Sequence, residues 1–118
     1  MNILIADDDV DSRRLLQVML EDLGHWVFGC RNGWIAWEVY KIARFPVVMF
    51  EWVMPGMSGS DLCHAIREAD RHPRCTVVIT ISGNSAKDST EIMAAGADGY
   101  LMKPILTRDL EAWVGAVD

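Results

Sequence analysis

The sequence lacks the features that would tie it to a membrane, a nucleic acid or an oxidising compartment. No apolar run approaches the ~20 residues of a membrane span. Cysteine is scarce. Cys30, Cys63 and Cys75 are odd in number, and none sits in a CxxC or other metal-ligand spacing. With no pairing or ligand spacing among them, buried thiols and a reducing cytoplasm are the expectation. Positive charge is in deficit: 11 Lys and Arg face 17 Asp and Glu, for a net charge of −6. That balance argues against direct binding to nucleic acid or to anionic lipid. Met1 to Ala6 turns acidic at once with Asp7-Asp8-Asp9, which is not how a signal peptide begins. Internal repeats, low-complexity stretches and linkers are absent too. What remains is an ordinary globular composition, 51% hydrophobic and 24% charged, in 118 residues. Such a length buries roughly two-thirds of its unfolded surface without disulfide or metal. It suits one domain, 1–118, with no room for an effector domain.

Apolar patterning divides the chain into five strand–helix repeats. Ile3 to Ala6 reads as a buried strand, and Leu15, Leu16, Met19, Leu20 and Leu23 then recur at helical spacing before Gly24. Trp26 to Cys30 is a second strand. Ala36, Val39, Tyr40 and Ala43 mark the helix after the Asn32-Gly33 turn. Val47 to Phe50 is a third strand, and Leu62, Ala65, Ile66 and Ala69 form a helical stripe after Met54-Pro55-Gly56. Thr76 to Ile81 is a β-branched fourth strand, followed by a less regular helix from about Ser85 to Ala95. Gly99 to Met102 is a short fifth strand. Thr107 is placed to cap a last helix with Leu110, Trp113, Val114 and Val117 on one face. Strands apolar throughout, alternating with helices, imply an α/β three-layer sandwich with a parallel sheet covered on both faces. Right-handed crossovers favour the flavodoxin-like (βα)5 order 2-1-3-4-5.

In such a sheet, ligands bind at the carboxyl ends of the strands, beside the switch point between strands 1 and 3. The first strand ends in Asp7-Asp8-Asp9, the third in Glu51, the fourth in Ser82-Gly83 and the fifth in Lys103-Pro104. Two like charges about 4 Å apart repel by ~1 kcal/mol in water and ~4 kcal/mol at an effective dielectric near 20. One lysine does not offset three carboxylates, whereas a hard divalent cation with oxygen ligands would. Mg²⁺ suits one or two carboxylates plus waters and a phosphate. Alone, the three aspartates read as a solvated helix-capping cluster. Together with Glu51, Ser82 and Lys103 on three other strand ends, they read as a site.

The blocks "ILIADDD", "WVMPGMSG" directly after Glu51, "VVITISG" and "GADGYLMKP", in this order and spacing, resemble the receiver domain of two-component response regulators over essentially the whole chain. The resemblance implies a phosphorylation-type conformational switch rather than an enzyme. Asp7, Asp8, Glu51 and the Val53 backbone carbonyl would hold Mg²⁺. Ser82 would hydrogen-bond a phosphoryl oxygen and Lys103 would pair with another. Tyr100 would be the aromatic that swings inward when Ser82 moves, and Lys103-Pro104 would be a cis peptide. The implied partner is a sensor histidine kinase or phosphotransfer protein. A homodimer through the face of helix 4, strand 5 and helix 5 is a further expectation.

One position departs from the pattern. Receivers carry an aspartate phosphoacceptor just before the "WVMP" block, and here it is Glu51. The added methylene moves the carboxylate by up to about 1.5 Å, and a misplacement of about 1 Å can cost ~10²-fold in rate. Three accounts stay open: a pseudo-receiver that signals without phosphorylation, an introduced Asp→Glu change that mimics the phosphorylated form, and a working acceptor. The geometry argues most against the third. A receiver-fold dimerisation or scaffold module, independent of phosphorylation, is the alternative function. An FMN carrier is disfavoured because three aspartates after the first strand repel phosphate. A dehalogenase-type phosphatase would need a cap domain for which the chain is too short. Trp52, next to Glu51, is expected to flank the acidic pocket. Trp34 and Trp37 lie off the apolar stripe, as sheet-edge cover or partner surface. His25, His64 and His72 read as surface histidines, and Met93 and Met102 as packing.

Overall fold

The alternation read from the sequence is realised element by element. The computed structural model describes residues 1–69, 74–82 and 88–116. Its strands are β1 (Asn2–Ala6), β2 (Trp26–Cys30), β3 (Val47–Glu51), β4 (Thr76–Ile81) and β5 (Gly99–Met102). Between and after them run α1 (Val10–Asp22), α2 (Gly33–Ile42), α3 (Gly59–Ala69), α4 (Ser89–Ala94) and α5 (Thr107–Val114). All strands pair in parallel, in the order β2-β1-β3-β4-β5. This is the flavodoxin-like arrangement, and it puts β1 beside β3.

The strands are apolar on both faces because each face has its own layer of helices. Leu4, Ala6, Val48, Phe50, Val77, Ile79 and Ile81 pack with Leu62, Cys63 and Ile66 of α3 and Ile92 of α4. The alternate residues Ile3, Ile5, Val47, Met49 and Val78 pack with Leu16 and Leu20 of α1 and Leu110 and Val114 of α5. All three cysteines are buried, and burial pushes the Cys30 thiol up to about 11. A partly buried network ties α3 to the strands. Arg67 donates through Nε to the Gly96 carbonyl (2.7 Å), and through Nη1 to that of Cys75 (2.6 Å). Its Nη2 donates to Asp98 Oδ2 (2.8 Å), which also accepts from the Val77 N–H, while Arg74 binds Oδ1.

Several expectations are corrected. β2 is not covered on both faces: Trp26 is 76% and Phe28 51% exposed, because β2 is an edge of the sheet. His25 is buried, not superficial. Its Nε2 donates to the Gly115 carbonyl (2.8 Å) and its Nδ1 faces the Met1 ammonium (3.1 Å), so the ring pins the end of α5 to the start of β2. His64 is exposed as expected, and His72 lies outside the described residues. Thr107 is the first residue of α5 rather than its cap; Leu106 holds the cap position with extended backbone and no side-chain bond. Met93 and Met102 are about half exposed, not core packing. Ser85, where the fourth helix was expected to start, and Val117 lie outside the described residues.

Candidate functional site

β1 stops where three aspartates, poor strand formers, replace its apolar run. Asp7 is held on every side. Its N–H donates to the Cys30 carbonyl (3.1 Å), and its own carbonyl accepts from Arg13 Nη1 (2.8 Å). Its Oδ1 accepts from the Asp9 N–H (3.0 Å), the local turn that aspartate favours two residues on. Asp7 is 3% exposed, whereas Asp8 points to solvent.

Glu51 ends β3 directly across the switch point. The loop after it is pressed against α3: the Gly59 N–H donates to the Trp52 carbonyl (2.9 Å). A Cβ on Gly59 would lie 2.6 Å from the Glu51 carbonyl oxygen and 2.7 Å from Trp52 backbone atoms, so only glycine fits. Lys103 follows β5, its N–H donating to the Ile81 carbonyl (2.8 Å), and the Lys103-Pro104 peptide is cis.

The structure brings three of the expected residues into direct contact. Lys103 Nζ lies 2.8 Å from Asp7 Oδ2 and 2.5 Å from Glu51 Oε2. The lysine bridges the two buried carboxylates, while Asp8 stays exposed beside them. Burial raises the Glu51 pKa; Lys103 opposes the rise and the Asp7 charge adds to it. Burial by itself would lower the Lys103 pKa, but its two carboxylate partners outweigh it and hold the ammonium charged.

Thr80 was not among the expected residues. It is 1% exposed, and its Oγ1 donates to Glu51 Oε2 (3.1 Å). The signal that could have found it is register: Thr80 is the residue on β4 paired with Glu51 on β3. Ser82 is exposed just past β4, next to Ile81, whose carbonyl binds the Lys103 N–H. Tyr100, the aromatic expected to swing inward, is 39% exposed on β5. Val53 is 64% exposed on the loop after Glu51. Trp52 does not flank the pocket: it is buried in the core on the α2 and α3 side. Trp34 is exposed against Gly56 of the same loop, and Trp37 stacks on Tyr40 with centroids 6.2 Å apart.

The donor set is all oxygen: carboxylates of Asp7, Asp8 and Glu51, and peptide carbonyls. That chemistry fits a hard cation such as Mg²⁺, which keeps several of its waters. Among the described residues, no group of three or more acidic, histidine or cysteine side chains is drawn together as a metal cage.

Comparison with known proteins agrees with this geometry. The family model of the response regulator receiver domain matches residues 3–114. The chemotaxis protein CheY of Pseudomonas aeruginosa is 33% identical over 113 residues, covering 94% of this chain and 90% of that protein. The sensor histidine kinase GacS of Pseudomonas protegens is 33% identical over 92% of this chain, which spans only 12% of the kinase's length. The solved structure of CheY4 from Vibrio cholerae superposes with a TM-score of 0.86 at 26% identity, covering 96% of this chain and 94% of that one. The chain therefore belongs to the response regulator receiver domain family, which is in general regulatory rather than enzymatic, binding Mg²⁺ at the acceptor site.

Proposed function

We propose that residues 1–118 form one receiver domain in which Glu51 stands at the phosphoacceptor position and holds Lys103 itself. The carrying observation is the Lys103 bridge between Asp7 Oδ2 and Glu51 Oε2. Phosphoryl transfer needs cations on the equatorial oxygens and an in-line nucleophile, with little other chemistry from the protein. Here the lysine meant for a phosphoryl oxygen already has a carboxylate, and the nucleophile is one methylene too long. Thr80 adds a second donor to the same Glu51 oxygen and fixes it there. The outward Tyr100 supports a phosphorylation-deficient state over a mimic of the activated one. Asp7, Asp8 and the Val53 carbonyl, with Glu51, would hold Mg²⁺, which when bound offsets negative charge on the phosphoryl oxygens. Ser82 would take a phosphoryl oxygen, and Ser82 and Tyr100 would be the switch pair.

The partner class is a histidine kinase or phosphotransfer protein, in keeping with a relative that is itself a sensor histidine kinase. An apolar cleft of about 260 Å³, lined by Leu15, Leu16, Met19, Pro104 and Ile105, opens beside Lys103 and would seat that partner next to the site. Among the described residues no helix is long and apolar enough to cross a membrane. Cytoplasmic residence accords with the reduced, buried cysteines. A second reading, a phosphorylation-independent scaffold or dimer, is favoured by the exposed Met93, Tyr100, Met102 and Trp113 on the α4–β5–α5 face.

The test uses Mg²⁺ with beryllofluoride, a phosphoryl mimic, while the Tyr100 ring is followed by NMR. The expected result is no change in this chain and a clear shift in Glu51→Asp. An equal shift in both would contradict the proposal, and no shift in either would favour the static module.

A further inference from the structure

β2 forms one edge of the sheet and, among the described residues, pairs with β1 alone. Edge strands are normally protected by lysine, proline or a bulge. The run Trp26-Val27-Phe28-Gly29-Cys30 has neither charge nor proline, and its two largest side chains stand mostly in water.

The backbone of this edge is open in a defined pattern. The Trp26 N–H donates to the Met1 carbonyl, and the Cys30 carbonyl accepts from the Asp7 N–H. Residues 26, 28 and 30 thus turn their peptide groups toward β1. By alternation, those of Val27 and Gly29 point away from the sheet.

We propose that the β2 edge is a homodimer interface, in which two copies pair antiparallel about a two-fold axis at Phe28 to make one continuous sheet. Three features make the strand complementary to itself under that operation. Val27 comes opposite Gly29 of the second copy, and these are the residues whose peptide groups point outward. They form a hydrogen-bonded pair, repeated by symmetry. The exposed apolar side chains face one another: the two Phe28 rings meet at the axis, where the strands approach closest, with the exposed Trp26 of each copy beside them on the same face. Charge matches as well. Arg31, exposed just after β2, comes opposite position 25 of the second copy, beside the turn that leaves α1 and its exposed Glu21 and Asp22. Among the described residues, none of these three charges has an ion-pair partner within the chain. A heterologous partner strand would need to supply all three matches, whereas a second copy supplies them by symmetry.

Five paired residues a side fall well below the roughly 20–30 a side of a standard stable interface, so the dimer is weak and dilution reverses it. Light scattering on the eluting protein should show mass rising toward twofold as concentration increases. Phe28→Lys, which places two ammonium groups at the axis, should keep the protein monomeric at every concentration. Met102→Lys on the opposite edge should not. Without any substitution, the Val27 and Gly29 amides should exchange with deuterium more slowly in concentrated than in dilute protein. A monomer at all concentrations, a dimer that Met102→Lys abolishes, or exchange at Val27 and Gly29 that ignores concentration would each overturn the proposal.

Discussion

The Glu51 carboxylate, one methylene farther from the backbone than an aspartate's, meets the Lys103 ammonium at 2.5 Å. Asp7, Glu51 and Lys103 were legible in the sequence because strand ends point to one crevice whenever the strand order is known. Thr80 was not, because within a β-branched run nothing in the sequence says which residue faces a neighbouring strand's last side chain. Only the Glu51–Thr80 register does. His25 misled for a similar reason. Its two partners, Met1 and Gly115, are far from it in the chain, so its burial has no local signature. Asp98 carries a pH prediction. Burial alone would raise its pKa, but hydrogen bonds from Arg74 and the Val77 N–H, with Arg67, outweigh burial and lower it. A depressed carboxylate stabilises the fold above its ordinary pKa, and that contribution is lost as pH falls through the folded value. Asp98→Asn should cost about 2 kcal/mol near neutrality, the range for bonds to a charged group. The gap from the parent should close as pH drops below the ordinary aspartate range. Urea unfolding across pH measures it, and a gap that widens in acid would contradict the assignment.

At the scale of elements, all five strands were read within a residue of their bounds, since a parallel sheet covered on both faces writes unbroken apolar runs. The exception in burial is β2, whose run looks like a core strand's although it lies at an edge. Composition cannot distinguish a strand buried by its own helices from one left for a second copy. The element that matters most to the site is the junction of β3 with α3. Gly59 lets the helix start against the Glu51 and Trp52 backbone, where a methyl group would collide. Gly59→Ala should therefore destabilise the protein by about 1–3 kcal/mol, the usual cost of overpacking. It should also move the Glu51 and Lys103 resonances, whereas an alanine on an exposed helical face should do neither. Thermal melting and NMR check both parts, and a neutral substitution would show that the junction is looser than described.

For the whole molecule, the deficit of positive charge takes on a location. Two of its carboxylates are buried around one lysine, and a third stands beside them in water. The fold and family were legible because the four motif blocks keep the spacing that the sheet order imposes. The exposure of Asp8 was not, because sequence does not say which way a side chain at a strand end turns. The central claim is that Glu51 occupies the place of the phosphoacceptor without doing its work. Intact mass after incubation with a small phosphodonor and Mg²⁺ tests it most directly. This chain should gain nothing, and Glu51→Asp should gain the mass of one phosphoryl group. A rapid, stoichiometric gain by the parent chain would contradict the account.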